Sequence, residues 1–158
     1  MKKVLFVLML VLGTISSYAE ELTATQIQQR NAVENFLKEE GFMPQIDSDG
    51  DIKFKKEGLN YYISIGTDES PYYLLFFRYL NYPSEYSKDV IKIAANELNF
   101  YKGVKLLCYK THIRVQADVY YHNVETFKRV FYKLLSQIGN LEEDILDECA
   151  KVANGTAN

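Results

Sequence analysis

Residues 51–65, DIKFKKEGLNYYISI, decide the fold of this chain. The Glu57-Gly58 pair in the middle is typical of a two-residue hairpin turn. Around that turn the apolar side chains fall on one face: Lys56 opposite Leu59, Phe54 opposite Tyr61, and Ile52 opposite Ile63. The other face then carries Lys53 opposite Tyr62 and Lys55 opposite Asn60. The stretch therefore predicts an antiparallel hairpin with one buried face.

Working outward, the flanking segments alternate between helix and strand patterns. The spacing predicts a helix from Thr25 to Gly41 before the hairpin and a strand from Tyr72 to Leu80 after it. That strand is apolar on both faces, which is typical of a central strand. Ser84 or Ser87 then begins a second helix, which reaches about Tyr101.

A second hairpin is predicted from Val104 to Tyr121. The register that gives one clean apolar face pairs Cys108 with Val115, Leu106 with Ala117, and Val104 with Val119. A helix starts at Asn123, is interrupted at Gly139, and a final helix runs to about Ala153. The predicted class is α+β in the order α-β-β-β-α-β-β-α, with one antiparallel five-stranded sheet and helices packed on one face.

The first nineteen residues, MKKVLFVLMLVLGTISSYA, have the three parts of a secretory signal peptide. Two lysines precede an apolar run from Val4 to Leu12, and small residues lead to a predicted cleavage after Ala19. An uncleaved anchor is the rival reading, but a membrane span needs ~20 apolar residues. We expect a periplasmic or secreted protein with no stable membrane anchor, comprising one domain at 20–153 and a frayed tail at 154–158.

The amino-acid composition argues against a nucleic-acid partner. The formal net charge is −3, so the chain lacks the basic surface typical of nucleic-acid binding. Thirteen tyrosines and no tryptophan are present. Tyrosine combines a large apolar ring with a polar tip, which suits interfaces as well as cores.

The second face of the predicted sheet is the candidate interaction face. Large mixed aromatic patches often mark interaction sites, and tyrosine and arginine favour binding hot spots. The alternative is that the last helices or the loops cover this face. The candidate residues are Lys53, Tyr62, Leu107, Tyr109, Arg114, Gln116 and Tyr120.

No catalytic, cofactor or metal site is predicted. Asp47-Ser48-Asp49-Gly50-Asp51 resembles a calcium loop, but its glycine comes too early and Gly58 occupies the twelfth position, so a turn is the better interpretation. His112 and His122 lack partners at ligand spacing, and no G-x-S-x-G elbow occurs. Cys108 and Cys149 could form a disulfide in an exported protein or remain buried free thiols.

The sequence FLKEEGF at 36–42 and the hairpin DGDIKFKKEGLNYYISI at 49–65 resemble the YbjN family, over roughly Gln26 to Ile138. The resemblance implies a type III secretion chaperone-like fold and a non-enzymatic role, and it supplies no catalytic residues. The predicted function is an exported binding or chaperone-like domain that recognises a protein or peptide, with homodimerisation a further expectation. The alternative is a small-molecule-binding protein or hydrolase with a tyrosine-lined pocket.

Overall fold

The computed structural model of the protein describes residues 22–66, 72–99 and 103–155. The predicted signal peptide at 1–19 and residues 156–158 of the predicted tail lie outside the described residues. Within the described ranges the elements run in the order α1 Ala24–Glu39, β1 Gln45–Ile46, β2 Ile52–Lys56, β3 Leu59–Ile65, β4 Tyr73–Leu80, α2 Lys88–Leu98, β5 Lys105–Cys108, β6 Ile113–Tyr120 and α3 Val124–Ala153.

The described strands form one open antiparallel sheet in the order β1-β2-β3-β4-β6-β5. The α+β class is confirmed, but the predicted five strands and element order are wrong, because the sheet has six strands in the described residues. The additional strand, β1, pairs Gln45 with Lys53 and Ile46 with Ile52. It is two exposed residues directly after Pro44, so it leaves no alternating pattern in the sequence.

The first hairpin, β2–β3, has the predicted register throughout. Glu57 and Gly58 both have positive φ, 53° and 83°. A type I′ turn requires positive φ at both central residues, and its twist matches that of the paired strands. The turn therefore fixes which residues of β2 and β3 face each other.

The second hairpin, β5–β6, differs from the prediction by two residues. The structure pairs Cys108 with Ile113 and Leu106 with Val115. The backbone N–H of Tyr109 donates to the carbonyl of His112 at 2.9 Å, so the loop contains only Lys110 and Thr111. A shift of two residues keeps every side chain on its predicted face, so the hydrophobic pattern could not distinguish the registers.

The helices begin at side-chain caps. Thr23 and Gln26 form a capping box at α1, with Thr23 two residues before the predicted start of the helix at Thr25, and Ser87 caps α2. The predicted break at Gly139 is wrong, because α3 continues through it to Ala153. A Cβ at residue 139 would lie 3.2 Å from the hydroxyl of Tyr61, so the glycine allows the helix to approach β3 closely. None of the helices in the described ranges is long and apolar enough to span a membrane.

The main core lies between the sheet and the helices. Buried side chains of α1, α2 and α3 form one cluster with the inward residues of the strands, among them Ile52, Phe54, Ile63, Phe76 and Val115. We call this side of the sheet the helix face and the other side the open face. The open face carries the alternate residues of the same strands.

Candidate interaction face

Strand pairing aligns five side chains in a row across the open face. Lys53 of β2 lies opposite Tyr62 of β3, Tyr62 opposite Phe77 of β4, Phe77 opposite Gln116 of β6, and Gln116 opposite Lys105 of β5. We call these five residues the central row. A lysine therefore stands at each end, with two aromatic rings and an amide between them.

The predicted site residues occupy this face in two places. Lys53, Tyr62 and Gln116 belong to the central row, and Leu107 lies opposite Arg114 beside it. Tyr109 follows β5, and the Arg114 guanidinium lies 5.2 Å from the centre of its ring. Tyr120 is six residues from Arg114 along β6, about 20 Å away, so it is not part of this group. Its ring packs against Tyr73, 5.0 Å between centres.

Two residues that sequence reasoning did not name, Phe77 and Tyr79, form the centre of the face. The rings of Tyr62 and Phe77 stack with centres 5.4 Å apart, and Tyr79 lies 5.5 Å from Tyr62. Phe77 is 3% exposed although it lies outside the main core cluster, whereas Tyr79 is 46% exposed. Strand β4 is apolar on both sides, so alternation alone could not assign its residues to a face.

Two cations rest on these rings. The guanidinium of Arg114 lies 5.5 Å from the centre of the Phe77 ring, and Lys53 lies 5.7 Å from that of Tyr62. Such arrangements stabilise a cation through the electron-rich ring face. The Nε of Arg114 is buried and has no hydrogen-bond partner among the described residues.

Asp118 is the most strongly engaged carboxylate of the open face. It accepts hydrogen bonds from Tyr73 at 2.6 Å, Lys105 at 2.8 Å and Gln116 at 3.1 Å. Burial alone would raise the pKa of Asp118, but these donors together with the Lys105 charge hold it below its ordinary value. Gln116 is 6% exposed, and its Oε1 has no partner within the described part of the chain.

Asp51 stands at the start of β2 in a different environment. Burial raises the pKa of its carboxyl, a hydrogen bond with Ser64 opposes this, the nearby charges of Asp47 and Asp49 raise it further, and the Arg114 charge lowers it. The open face therefore holds two different carboxylates. The environment stabilises the charged form of Asp118 and destabilises the charged form of Asp51.

The stretch 47–51 forms the turn between β1 and β2. The Asp47 carboxylate accepts the backbone N–H groups of Asp49 and Asp51, each at 3.0 Å, which is typical of aspartate in turns. In the described ranges no group of three or more His, Cys, Asp or Glu side chains is arranged to hold a metal ion. His112 stacks on Tyr109 at 5.0 Å, and His122 on Tyr72 at 6.1 Å.

Cys108 and Cys149 are both free thiols in the structure. Cys108 is half-buried on β5, and Cys149 is fully buried in α3. Burial raises the pKa of both thiols, and the proximity of Cys108 adds to the effect at Cys149. Their pairing in an oxidising compartment stays a prediction.

Surface clefts lie at the margins of the sheet. The largest of three, about 450 Å³, lies between the Gly41–Met43 segment and β2, and the others are about 390 Å³ beside α2 and β5 and about 330 Å³ beside residues 80–85. Tyr109 lines the second, Tyr82 lines the third, and no tyrosine lines the first. These clefts do not resemble the tyrosine-lined pocket of the alternative prediction.

Comparison with known proteins bears on the fold. No protein-family model and no curated protein matches the sequence. A chain in the structure of the HopA1–SchA chaperone–effector complex is similar in fold, with a TM-score of 0.57 and 14% sequence identity. The match covers 78% of this chain and 99% of that chain. The protein therefore shares the fold of that chain, and at this identity the likeness concerns the fold alone.

Proposed function

We propose that the protein is a non-enzymatic binding domain that holds another polypeptide on its open face. The observation that carries the proposal is the central row with its neighbours Tyr79 and Arg114. Exposed aromatic rings next to arginine are the side chains that dominate protein–protein interfaces. The fold, which is similar to that of a chain in a chaperone–effector complex, supports the same class of function.

The distribution of apolar surface also favours the open face over the helix face. The helices fill the helix face, where Phe76, Phe127 and Phe131 are fully buried. On the open face, by contrast, Tyr79, Tyr109 and Tyr120 are 46%, 41% and 79% exposed. A partner that covers these rings would remove apolar surface from water, which stabilises association.

A peptide selection tests this proposal. Random peptides displayed on phage are selected on the purified protein, and the dissociation constant of each recovered peptide is measured by fluorescence anisotropy. We expect Tyr79→Ser to weaken binding about tenfold or more, because it removes an exposed hot-spot ring.

Tyr132→Ser is the matched control for that selection. Tyr132 is similarly exposed, at 52%, but lies on α3, where its hydroxyl donates to Glu40. Recovered peptides whose affinity falls for Tyr132→Ser and not for Tyr79→Ser would place binding on the helices and contradict the proposal.

We also propose that the protein acts outside the cytoplasm, as an exported relative of the YbjN family. The signal-like residues 1–19 and the two sequence stretches at 36–42 and 49–65 support this. Mass spectrometry of the protein from its host's cell envelope should give an N-terminus at Glu20. A cytoplasmic protein that retains residues 1–19 would contradict it.

Homodimerisation through the open face is a further part of the proposal. Light scattering of the purified protein should give twice the chain mass at concentrations where dimers form, and Tyr79→Ser should return it to one chain mass. A strict monomer at all concentrations would exclude the dimer and leave the binding proposal in place.

A further inference from the structure

We infer that the polypeptide held on the open face is an acidic segment in extended conformation, with a carboxylate on Arg114. This inference rests on the proposed binding function and names the chemistry of the partner.

Some cations of the open face form ion pairs and others do not. In the described residues these cations pair with carboxylates: Lys38, Lys56, Arg78, Lys92, Lys105 of the open face, Lys128 and Lys151. Within the same ranges Arg30, Lys88, Lys110, Arg129 and Lys133 do not. Lys53, Lys55 and Arg114 form no ion pair with any described carboxylate. Asp118 is already occupied by Lys105, Tyr73 and Gln116. The open face therefore carries three cations that form no ion pair with the described part of the chain, and the Asp51 carboxylate acts on Arg114 at longer range.

Arg114 lies between two aromatic rings on the open face. Its guanidinium lies within 5.5 Å of the Phe77 ring centre and 5.2 Å of the Tyr109 ring centre, and Nε is buried without a partner. A buried donor that lacks a hydrogen bond is unfavourable. A guanidinium held between rings presents its planar fork to a carboxylate, which it binds through two parallel hydrogen bonds. The Tyr79 hydroxyl accepts a hydrogen bond from Arg114 and the Asp51 charge acts on that arginine, so a partner's carboxylate would add to these contacts.

The length and polarity of the central row suit a short extended segment. From Lys53 to Gln116 the row crosses three strand spacings, about 14 Å, which about four residues of extended chain would span. Lys53 meets one end of such a segment. At the other end stands Gln116, whose buried Oε1 has no hydrogen-bond partner among the described residues. Tyr62 and Phe77 lie between Lys53 and Gln116, where they would contact apolar side chains of the bound segment.

A nucleic acid fits these observations less well. Phosphate backbones are bound by broad basic surfaces, whereas this chain has a net charge of −3 and carries Asp51 and Asp118 beside the unpaired cations. A few unpaired cations among aromatic rings suit a polypeptide that alternates acidic and apolar residues.

The test reads the charge of the peptides recovered in the phage selection on the purified protein. We expect the recovered sequences to be enriched in Asp and Glu relative to the unselected library. Selection on Arg114→Met should lose that enrichment. For a recovered acidic peptide, Arg114→Met should raise the dissociation constant about tenfold or more, and changing its Glu to Gln should have a similar effect on the wild type.

Arg129→Met is the matched control, because Arg129 is exposed on α3 and the substitution removes the same charge from the helix side. It should change affinity less than about twofold. Peptides that depend on Tyr79 but show no acidic enrichment would overturn the acidic inference and leave the binding function standing. Equal effects of Arg114→Met and Arg129→Met would overturn it as well. Recovery of no peptide would overturn both.

Discussion

Gly139 shows how one residue sets the distance between two elements. It lies inside α3, where glycine costs up to about 1 kcal/mol relative to alanine. The reason for a glycine there is on the neighbouring strand, because Tyr61 is 3% exposed and its hydroxyl would lie only 3.2 Å from a Cβ at residue 139. The position therefore serves packing and does not end the helix.

We predict that Gly139→Val destabilises the protein by about 1–3 kcal/mol, because the branched side chain overpacks the contact with Tyr61. Urea unfolding monitored by circular dichroism measures the change. The control is Asn140→Val, an exposed position in the same helix, which should change stability by about 0.5 kcal/mol or less. Equal effects of the two substitutions would contradict the packing account.

Asp118 links the open face to pH. Its folded pKa is held below the ordinary value, so its contribution to stability is present above the unfolded pKa of about 4 and is lost as the pH falls through the folded pKa. The contribution of Asp51 to the pH dependence of stability has the opposite sign, because its raised pKa in the folded state favours the protonated form on folding.

We predict that Asp118→Asn makes the loss of stability below about pH 4 shallower than in the wild type. Thermal unfolding at a series of pH values measures this slope. Asp144→Asn, at an exposed position of α3, is the control and should leave the slope unchanged. A wild-type slope retained in Asp118→Asn would show that other carboxylates carry the acid sensitivity.

At the scale of elements, one ion pair ties α3 to β4. Arg78 is 4% exposed on the helix face, and its Nη2 donates to Glu142 at 2.7 Å. Its Nε and Nη1 are buried and have no hydrogen-bond partner within the described residues, and Tyr61 lies under the guanidinium at 5.7 Å. The charge of Arg78 is therefore balanced mainly through Glu142.

We predict that Glu142→Gln destabilises the protein by about 1–2 kcal/mol, because it leaves a buried guanidinium without a counter-charge. Glu143→Gln, the next residue on the exposed side of α3, should have little effect. Denaturant unfolding measures the free energy of unfolding of both variants. Similar stabilities for the two would mean that Arg78 needs no carboxylate.

The elements also show how much of the fold the sequence could predict. The first hairpin was predictable in every pair, because the Glu57-Gly58 turn and the alternation agree. The register of the second hairpin was not, since a shift of two residues preserves both faces and only the Lys110-Thr111 turn selects between them. The short strand β1 has no hydrophobic pattern, and the reason for Gly139 lies on a different element, at Tyr61.

The candidate site was predictable in part for the same reason. Alternation assigns Lys53, Tyr62 and Arg114 to the open face, because their strands have one apolar side. Strand β4 gives no such signal, so Phe77 and Tyr79 emerge only from its pairing with β3 and β6.

The two cysteines lie on β5 and α3, and their burial predicts how readily each thiol reacts with a reagent in solution. With both as free thiols, the burial and raised pKa of Cys149 should make it unreactive toward iodoacetamide at pH 7 in the native protein, while Cys108 reacts slowly. Intact mass after alkylation without reductant measures both. Two added groups in denaturant are expected, and none would indicate a disulfide.

At the scale of the whole molecule, the two sides of the sheet differ in purpose. The helix face holds the main core, with Phe36, Phe54 and Phe131 in edge and tilted contacts within about 6 Å. The open face stacks Tyr62 on Phe77 and leaves cations unpaired at its surface. A sheet whose second side carries aromatic rings and unpaired cations, in a chain of net charge −3, supports the proposal that this side contacts a partner.

The most direct measurement of this claim is site-specific photocrosslinking in the cells that produce the protein. Benzoylphenylalanine replaces Tyr79 on the open face or Tyr132 on α3, and mass spectrometry identifies the adducts. The account predicts a polypeptide, a second copy or another protein, attached at residue 79 and not at residue 132. Adducts at residue 132 with none at residue 79 would contradict the open face as the binding surface.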